Sequence, residues 1–403
     1  MSGLRSVGDS GADVGGGTAA EADRLARVVL SVGVEPGDIT TSRLVRDLGA
    51  QRALAEQLVP KPGSGLAERL AGVDPVRQLE QAGRRGIRFL VPGDREWPPG
   101  LDDLDQVDQL DHRCRTSGDS AEGEPVTFGG SPPGIWVRGP MPLTELAGSV
   151  AVVGSRDASV YGIETARAIS HHVALSGVPV VSGGALGIDF AAHDAALRAG
   201  GATVAVLACG VDRVYPEKNR PLLAHLAAEY AVVSEQPPGS GPTQLRFLAR
   251  NRLIAALTRG TVLVEAALRS GALNTVGWAE QMSRAVMGVP GPVTSYTSAG
   301  VHQCLRRGGA TLVTHGSEVL EVVGGSGEHL VEVPRGPERP RDRLSAVDRR
   351  VLEQVPPASP MAVDAIASQS LLHVRDAMGA LSRLEARGFV DRVDGGWRLA
   401  GAG

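Results

Sequence analysis

Seven short apolar runs between residues 150 and 313 constrain the fold more than any other feature of this chain. They occupy residues 150–153, 178–181, 203–207, 231–233, 261–264, 285–289 and 310–313. The runs are dominated by Val, Ala and Leu, and segments with helical patterns separate them. Continuous apolar strands alternating with helices are typical of a parallel sheet that is covered on both faces. The sequence therefore predicts an α/β domain with a doubly wound, mostly parallel sheet.

The flanking regions have different patterns. The N-terminus is rich in Gly, Ser and Asp without periodic apolar positions, and short helical patterns follow it. The C-terminal region shows three helical segments and then a hairpin, which is typical of a winged helix. The predicted organisation is a disordered tail at 1–18, a small helical domain at 19–85, a Rossmann-like domain at 86–324, a linker at 325–340 and a winged-helix domain at 341–403.

Charge is unevenly distributed along the 403 residues, whose net charge is −4. Between Asp102 and Pro125, eight acidic residues stand against two arginines. We interpret about residues 102–131 as an acidic surface insertion in the Rossmann-like domain, and we expect it to lie away from any bound nucleic acid because it would repel phosphates.

Composition also narrows the location and chemistry. The three cysteines, Cys114, Cys209 and Cys304, are far apart and lack His or Cys partners at ligand spacing. Neither a disulfide framework nor a metal site is expected, and no cofactor motif is evident. No apolar run approaches the roughly 20 residues of a membrane span. We therefore expect a cytoplasmic protein without a membrane partner.

Polar and glycine-rich motifs follow the ends of several predicted strands. Because ligands bind beyond the carboxyl ends of strands in such sheets, these motifs can converge on one face. The candidate binding residues are Gly154, Ser155, Arg156, Ser182, Gly183, Gly184, Gly187, Lys218, Asn219, Phe247, Arg250, Asn251 and Arg252, with Asp189, Tyr215, Glu265 and Ser270 in supporting roles.

The stretch from Arg250 to Arg252 is predicted to begin a helix. A helix start presents free N–H groups and partial positive charge, so arginines placed there would bind phosphate. Consecutive residues point in different directions along a regular helix, so only a first-turn position would bring both arginines to one ligand. Phe247 is equally consistent with stacking on a nucleobase and with burial in a core.

Other motifs have structural alternatives. Residues 182–189 could cradle phosphates, although they match neither the dinucleotide fingerprint nor the Walker motif. Asp189 is better explained as a helix cap. For Glu265, pairing with a nearby arginine is the leading interpretation. His193 and His302 are lone histidines, which are more often structural than catalytic.

An ordered series of motifs resembles the DNA-processing protein A family, also called DprA or Smf. The match covers about residues 87–315, and each piece is weaker than the ordered set. The motifs are Gly154-Ser155-Arg156, Tyr161-Gly162, residues 182–189, Cys209-Gly210, Tyr215-Pro216 with Asn219, residues 250–255, Val264-Glu265-Ala266, residues 270–273 and Val289-Pro290-Gly291.

The resemblance implies an extended Rossmann-like domain that binds and protects single-stranded DNA. It further implies a homodimer that helps to load the RecA recombinase during natural transformation, without established catalysis. By the motif match, Arg156, Lys218, Asn219, Arg250 and Arg252 would lie in or beside the pocket for phosphates and a base. Family members often carry terminal helical and winged-helix domains as well.

The sequence is also consistent with two alternatives. Related Rossmann-like enzymes hydrolyse nucleotides at a glycine-rich cleft, and Glu265 would then serve as the base. Alternatively, the chain is chiefly a scaffold that acts through its terminal domains. The winged helix has nine arginines and eight acidic residues between 341 and 403, so protein contact is as consistent with it as DNA contact.

Overall fold

The computed structural model describes residues 14–59, 65–107, 128–331, 336 and 338–401. The chain divides into two compact units, one ending at Val331 and the other beginning at Glu332. Most residues of the acidic insertion, Cys114 among them, and part of the predicted linker lie outside the described residues.

Nine strands form the sheet of the first unit, in the order β1-β2-β6-β5-β4-β3-β7-β8-β9. Strand β2 pairs antiparallel with both β1 and β6, and all the remaining pairs are parallel. The strands are β1 (Ile87–Leu90), β2 (Ile135–Arg138), β3 (Val150–Val153), β4 (Val180–Ser182), β5 (Thr203–Val206), β6 (Ala231–Ser234), β7 (Gly260–Leu263), β8 (Ala285–Gly288) and β9 (Thr311–Leu312).

All seven predicted apolar runs therefore become strands, β3 to β9. In β3 to β8, alternate side chains enter separate buried clusters on the two faces of the sheet, for example Ala151 and Val153 on one face and Val150 and Val152 on the other, whereas both residues of β9 are exposed. This double burial explains why the runs are continuously apolar. Strand β2 was not predicted, because its four residues stand alone after the acidic insertion.

Helices cover the sheet and connect its parallel strands. The helix α9 crosses the edge where the candidate residues converge. The helices are α6 (Val160–Leu175), α7 (Ile188–Arg198), α8 (Arg220–Glu229), α9 (Gln244–Ala256), α10 (Ala272–Gln281), α11 (Ala299–Arg306) and α12 (Gly316–Val323). Short 3₁₀ helices span Pro99–Asp105, Leu143–Leu146, Glu217–Asn219 and Tyr296–Ser298.

The five N-terminal helices are α1 (Val14–Gly33), α2 (Ile39–Leu48), α3 (Ala50–Leu58), α4 (Leu66–Ala71) and α5 (Pro75–Gly83). Helix α1 starts inside the segment 1–18 that was expected to be disordered. Val28 of α1 shares a buried cluster with Phe89 of β1 and Trp136 of β2. The helical region 19–85 therefore packs on the sheet within one compact unit, although Ala26, Leu30, Ala50 and Leu70 of its helices also form a buried cluster of their own.

The margins of the acidic insertion are also part of the core. Leu101, Leu104 and Phe128 are buried, and the Asp103 carboxylate pairs with Arg284 at 2.5 Å. Asp105 accepts a hydrogen bond from the Ser131 backbone at 2.8 Å. Within the described margins of residues 102–131, the apolar Leu104 and Phe128 are thus buried, while the acidic Asp102 is exposed.

The second unit is a winged helix, as predicted. It contains a 3₁₀ helix at Pro340–Arg343, the helices α13 (Ala346–Leu352), α14 (Val363–Gln369) and α15 (Val374–Ala386), and the antiparallel strands β10 (Val390–Val393) and β11 (Gly396–Leu399). Leu381, Leu384 and Trp397 are among its buried residues. Gly395, with φ of +94°, lies in the hairpin turn, where L side chains are rarely accommodated.

Candidate nucleic-acid interface

A cleft of about 780 Å³ opens at the carboxyl edge of the parallel strands. Nine of the sequence-predicted residues line it. They are Gly154, Ser155, Arg156, Asp189, Tyr215, Phe247, Arg250, Asn251 and Ser270. Distant parts of the chain thus meet because their strands end at the same edge.

Gly154 to Arg156 form a turn that packs tightly against the start of α7. The Ser155 N–H donates to the Glu265 carbonyl at 2.7 Å, and the Ser155 carbonyl accepts from Ile188 N–H at 3.2 Å. A Cβ at Gly187 would overlap the carbonyl oxygens of Ser155 and Arg156. Gly187 has φ of +78° and ψ of −125°, a backbone conformation that only glycine adopts readily. Gly187 supports the turn without lining the cleft.

Two buried polar side chains, Asp189 and Asn219, hold the glycine loop that follows β4. Asp189 accepts from the N–H groups of Gly183 at 3.1 Å and Ala185 at 3.4 Å. Asn219 donates to the carbonyls of Gly184 and Ala185 at 2.9 and 3.0 Å. Asp189 therefore braces the loop, and the helix-cap interpretation is corrected because Gly187 is the residue before α7.

Arg250 lies in the second turn of α9, below the cleft. Its Nη1 donates to the carbonyls of Gly183 at 2.7 Å and Val206 at 2.6 Å, and its Nε has no hydrogen-bond partner. Burial lowers the pKa of Arg250 to about 10, while the nearby Asp189 acts in the opposite direction. The guanidinium is therefore charged at neutral pH and presents positive potential at the cleft floor.

The helix starts earlier than the sequence suggested. Thr243 caps α9 by accepting from Arg246 N–H at 3.3 Å, so residues 250–252 are not in the first turn. Arg252 points away from Arg250 and is fully buried. It forms two hydrogen bonds with Glu235, at 2.7 and 2.8 Å. The expected phosphate contact of Arg252 is therefore wrong, and its role is structural.

Aromatic and cationic side chains cluster at the mouth of the cleft. The Arg156 guanidinium carbon lies 4.6 Å from the centre of the half-buried Phe247 ring, and the Tyr215 ring centre lies 5.4 Å from it. Arg156 is exposed and forms no ion pair with any described residue. This group combines a cation for phosphate with flat rings for a base.

The opposite wall is made by the loop that follows β7 and by α10. Asn251 donates to the Gly271 carbonyl at 3.2 Å, and Ser270 Oγ accepts from Ala272 N–H at 3.3 Å. Arg269 also lines the cleft, is exposed and lacks an ion pair in the described ranges. Sequence analysis missed Arg269, although its position just before Ser270 in a strand-end loop was an available signal.

Other predicted residues lie outside the cleft. Ser182 Oγ donates to the Val152 carbonyl at 2.6 Å and links two strands. Ala185 lines the cleft, whereas Gly183 and Gly184 do not. A Cβ at Gly183 would overlap the Arg250 guanidinium. Lys218 is exposed on the 3₁₀ helix beyond Tyr215 and forms no ion pair with a described residue.

Glu265 does not pair with an arginine. Its carboxylate accepts hydrogen bonds from Ser159 N–H at 2.9 Å, Ser159 Oγ at 2.6 Å and Thr297 Oγ1 at 3.0 Å. Ser159 is the N-cap of α6, so Glu265 places negative charge at that helix start, where it is stabilising. The leading interpretation of Glu265 is corrected to a structural one.

Both lone histidines have structural partners. His302 Nε2 lies 3.1 Å from the Gly291 carbonyl oxygen. His193 Nδ1 lies 2.7 Å from Thr203 Oγ1, whose hydroxyl donates to the Val180 carbonyl. Nδ1 must therefore carry the proton and donate, which leaves the buried Nε2 as an unpartnered acceptor.

Stability is expected to fall with acidification because of His193. Burial lowers its folded-state pKa to about 3, below the usual value of about 6.5, so the unfolded chain binds more protons between these values. His193 contributes stability above pH 6.5 that is lost as pH falls, by up to about 1.4 kcal/mol per pH unit. When urea unfolding is measured from pH 7 to 4, the free energy of unfolding of His193→Gln should fall less steeply with pH than that of the native protein. Identical slopes would contradict this prediction.

The described ranges contain no group of three His, Cys, Asp or Glu side chains placed to hold a metal ion. Of the helices in those ranges, none combines the length and apolar character that a membrane crossing needs.

Comparison with known proteins matches both units of the chain to one family. Residues 126–324 match the family description "DNA recombination-mediator protein A", and residues 335–396 match "DprA winged helix domain". A putative DNA processing protein DprA from Mycobacterium tuberculosis is 41% identical over 93% of this chain and 94% of its own length. This chain belongs to the DprA/Smf family.

Other DprA/Smf proteins match shorter parts of the chain. Protein Smf of Escherichia coli is 35% identical over 62% of this chain and 67% of its own. The crystal structure of DprA from Streptococcus pneumoniae superposes with a TM-score of 0.58 at 28% identity, covering 74% of this chain and 97% of that one. The chain is thus a DNA-processing protein with the Rossmann-like and winged-helix units of the DprA/Smf family.

Proposed function

We propose that this protein binds single-stranded DNA without sequence specificity along the carboxyl edge of its sheet. The observation that carries the proposal is the exposed, unpaired Arg156 guanidinium stacked on Phe247 at the mouth of a large cleft. An unpaired base fits such a cleft, whereas the bases of a duplex are stacked inside the helix. Stacking is available to any base, which explains the expected lack of specificity.

The residues divide into contacting and positioning groups. Arg156, Arg269 and Lys218 are exposed cations for phosphates, and Tyr215 and Phe247 are rings for bases. Asn219, Asp189 and Arg250 shape the loop that follows β4, with Arg250 also adding buried positive charge. Asn251 and Ser270 shape the wall formed by residues 269–275.

We further propose that the protein protects DNA and helps to load the RecA recombinase during natural transformation or recombination, acting as a homodimer in the cytoplasm. Its support is the matched family description as a DNA recombination-mediator protein and the relatives named as DNA processing proteins. The test is RecA filament formation on DNA coated with single-strand binding protein, with and without this protein.

The proposal includes no catalysis and no cofactor. Glu265, the only base considered for a nucleotide hydrolase, has its carboxylate oxygens engaged by Ser159 and Thr297. Release of base or phosphate from mononucleotides that Glu265→Gln abolishes would overturn this part of the proposal.

Arg156→Ala is expected to weaken single-strand binding and to reduce its salt dependence. Each phosphate neutralised contributes a slope of about −0.7 in a plot of log affinity against log salt, so losing one contact makes the slope less negative by about 0.7. The measurement is fluorescence anisotropy with labelled single- and double-stranded oligonucleotides at several salt concentrations.

Arg167→Ala is the matched control, because Arg167 is a half-exposed arginine on α6 whose charge faces Asp194 at 3.9 Å. Its substitution should leave affinity and slope near those of the native protein. Failure to bind single strands, or binding that Arg156→Ala leaves unchanged, would contradict the proposed site.

A further inference from the structure

The exposed aromatic side chains of this protein gather at one edge. Only 3% of the 403 residues are Phe, Trp or Tyr. Within the described ranges, the aromatic residues in the exposed class are Tyr161, Tyr215 and Tyr296, at 41%, 44% and 66% exposure. All three follow the carboxyl ends of strands in the sheet, although only Tyr215 lines the cleft. Surface aromatic groups in a chain so poor in them need an explanation.

Tyr161 and Tyr296 lie beside the cleft and are held by their hydroxyl groups. Tyr161 donates to the Pro290 carbonyl, and Tyr296 donates to the Asp157 carboxylate at 3.1 Å. Asp157 follows Arg156 and lines the cleft, so the Tyr296 ring directly adjoins the wall of the proposed DNA site. The loop after β8 connects Pro290, which Tyr161 contacts, to Tyr296, and it carries Val293 at 90% exposure.

The sheet order sets these rings in a row. Tyr215 follows β5, Arg156 follows β3 and the Tyr296 loop follows β8, in the strand order β5-β4-β3-β7-β8. The strands that precede the two ends of this row, β5 and β8, are four strand spacings of about 4.8 Å apart, or roughly 19 Å. A row of that length exceeds one nucleotide and holds aromatic groups on both sides of Arg156.

We propose that Tyr161 and Tyr296 form a second platform on which bases of single-stranded DNA stack after the strand leaves the cleft. This inference rests on the proposed function and extends its site. Anchored hydroxyls hold the rings while leaving aromatic surface free for a base. Arg156, between the two aromatic groups, contacts the intervening phosphate.

The negative charge of Asp157 beside Tyr296 favours contact of this ring with a base and not with a phosphate. The Asp157 carboxylate beneath the hydroxyl repels phosphate but leaves an uncharged base unaffected. The hydrogen bond from Tyr296 to this carboxylate also raises the pKa of the phenol, so the ring stays neutral. The platform is therefore aromatic and uncharged, unlike the cationic mouth of the cleft.

The test compares oligothymidylates of about 4 and about 16 nucleotides with the full-length protein. The variants are Tyr161→Ala, Tyr296→Ala and their double substitution. Tyr296→Phe keeps the ring without its hydroxyl. Leu175→Ala is the matched surface control, since Leu175 is 66% exposed at the opposite end of α6 from Tyr161.

We expect each alanine substitution to weaken binding of the long oligonucleotide by about fivefold or more, with the short one nearly unchanged. Tyr296→Phe, which keeps the ring but loses its anchor, should retain most of the binding of the long oligonucleotide, and Leu175→Ala should bind both normally. In photo-crosslinking with 5-iododeoxyuridine, the long oligonucleotide should label peptides containing Tyr161 or Tyr296.

Native binding of the long oligonucleotide by the double variant would overturn the platform, provided that Arg156→Ala still weakens binding. Equal losses for both lengths would overturn it too, because the tyrosines would then act only by shaping the cleft. If the native protein binds neither oligonucleotide, the proposed function itself fails, which is a different outcome from either of these.

Discussion

Replacing Arg252 with alanine is expected to lower the free energy of unfolding by about 3–5 kcal/mol, because it leaves the buried Glu235 carboxylate without its charged partner. The Arg252 side chain has no exposed surface and that of Glu235 has 6%. Arg252 also donates to the carbonyls of Gly130 and Ala249. Its removal therefore disconnects α9 from the segment before β2 and from the end of β6.

Urea unfolding at pH 7 measures this loss of stability, and two further variants serve as controls. Arg156→Ala removes an exposed arginine of the same unit and should change stability by less than about 0.5 kcal/mol. The double variant Arg252→Met with Glu235→Leu removes both charges and should regain much of the stability. A loss below about 1 kcal/mol in Arg252→Ala would contradict the assignment of this pair as a core element.

Gly187→Ala is expected to have the largest effect on DNA binding among variants that do not touch a charge. Its backbone conformation costs an alanine about 1–3 kcal/mol. The added Cβ also overlaps the Ser155 and Arg156 carbonyl oxygens, so the turn that presents Arg156 must shift. We expect single-strand affinity to fall about tenfold, equivalent to about 1.4 kcal/mol, in the anisotropy assay.

Gly200→Ala separates the two effects. Gly200 lies just beyond the other end of α7 with φ of +71°, and nothing stands within 4 Å of a Cβ placed there. This variant should lose about 1 kcal/mol or somewhat more of stability and retain native affinity. If the two glycine variants bind DNA equally well, the Gly187 contact does not position the Arg156 turn.

Local pattern was sufficient for the strands but not for strand β2 or the N-terminal boundary. A strand buried on both faces leaves a continuous apolar run, as residues 150–153 show. Residues 135–138 have the same character, yet their pairing with β6 is a contact between distant segments. In the same way, the sequence pattern predicts that Val28 lies in a helix, but only the tertiary structure shows that Val28 packs on the sheet.

The same contrast between local pattern and distant contacts applies to the candidate site. The sequence identified residues that line the cleft, such as Arg156 and Ser270 in strand-end loops and Phe247 in the first part of α9. It misjudged Arg252 and Glu265, because the partner of a buried charge is set by which distant segments meet. Glu235 and Ser159 carry no signal that names those partners.

By itself, the sequence determined the parallel sheet, the winged helix and the sheet edge at which most of the candidate residues converge, since these depend on local periodicity and on the direction of the strands. The tertiary structure alone decided which arginine faces the cleft and which enters the core. About half a turn of α9 separates these outcomes: Arg250 and Arg252 are two residues apart, so the helix points them to opposite sides, and the surrounding carbonyls and carboxylates fix their roles.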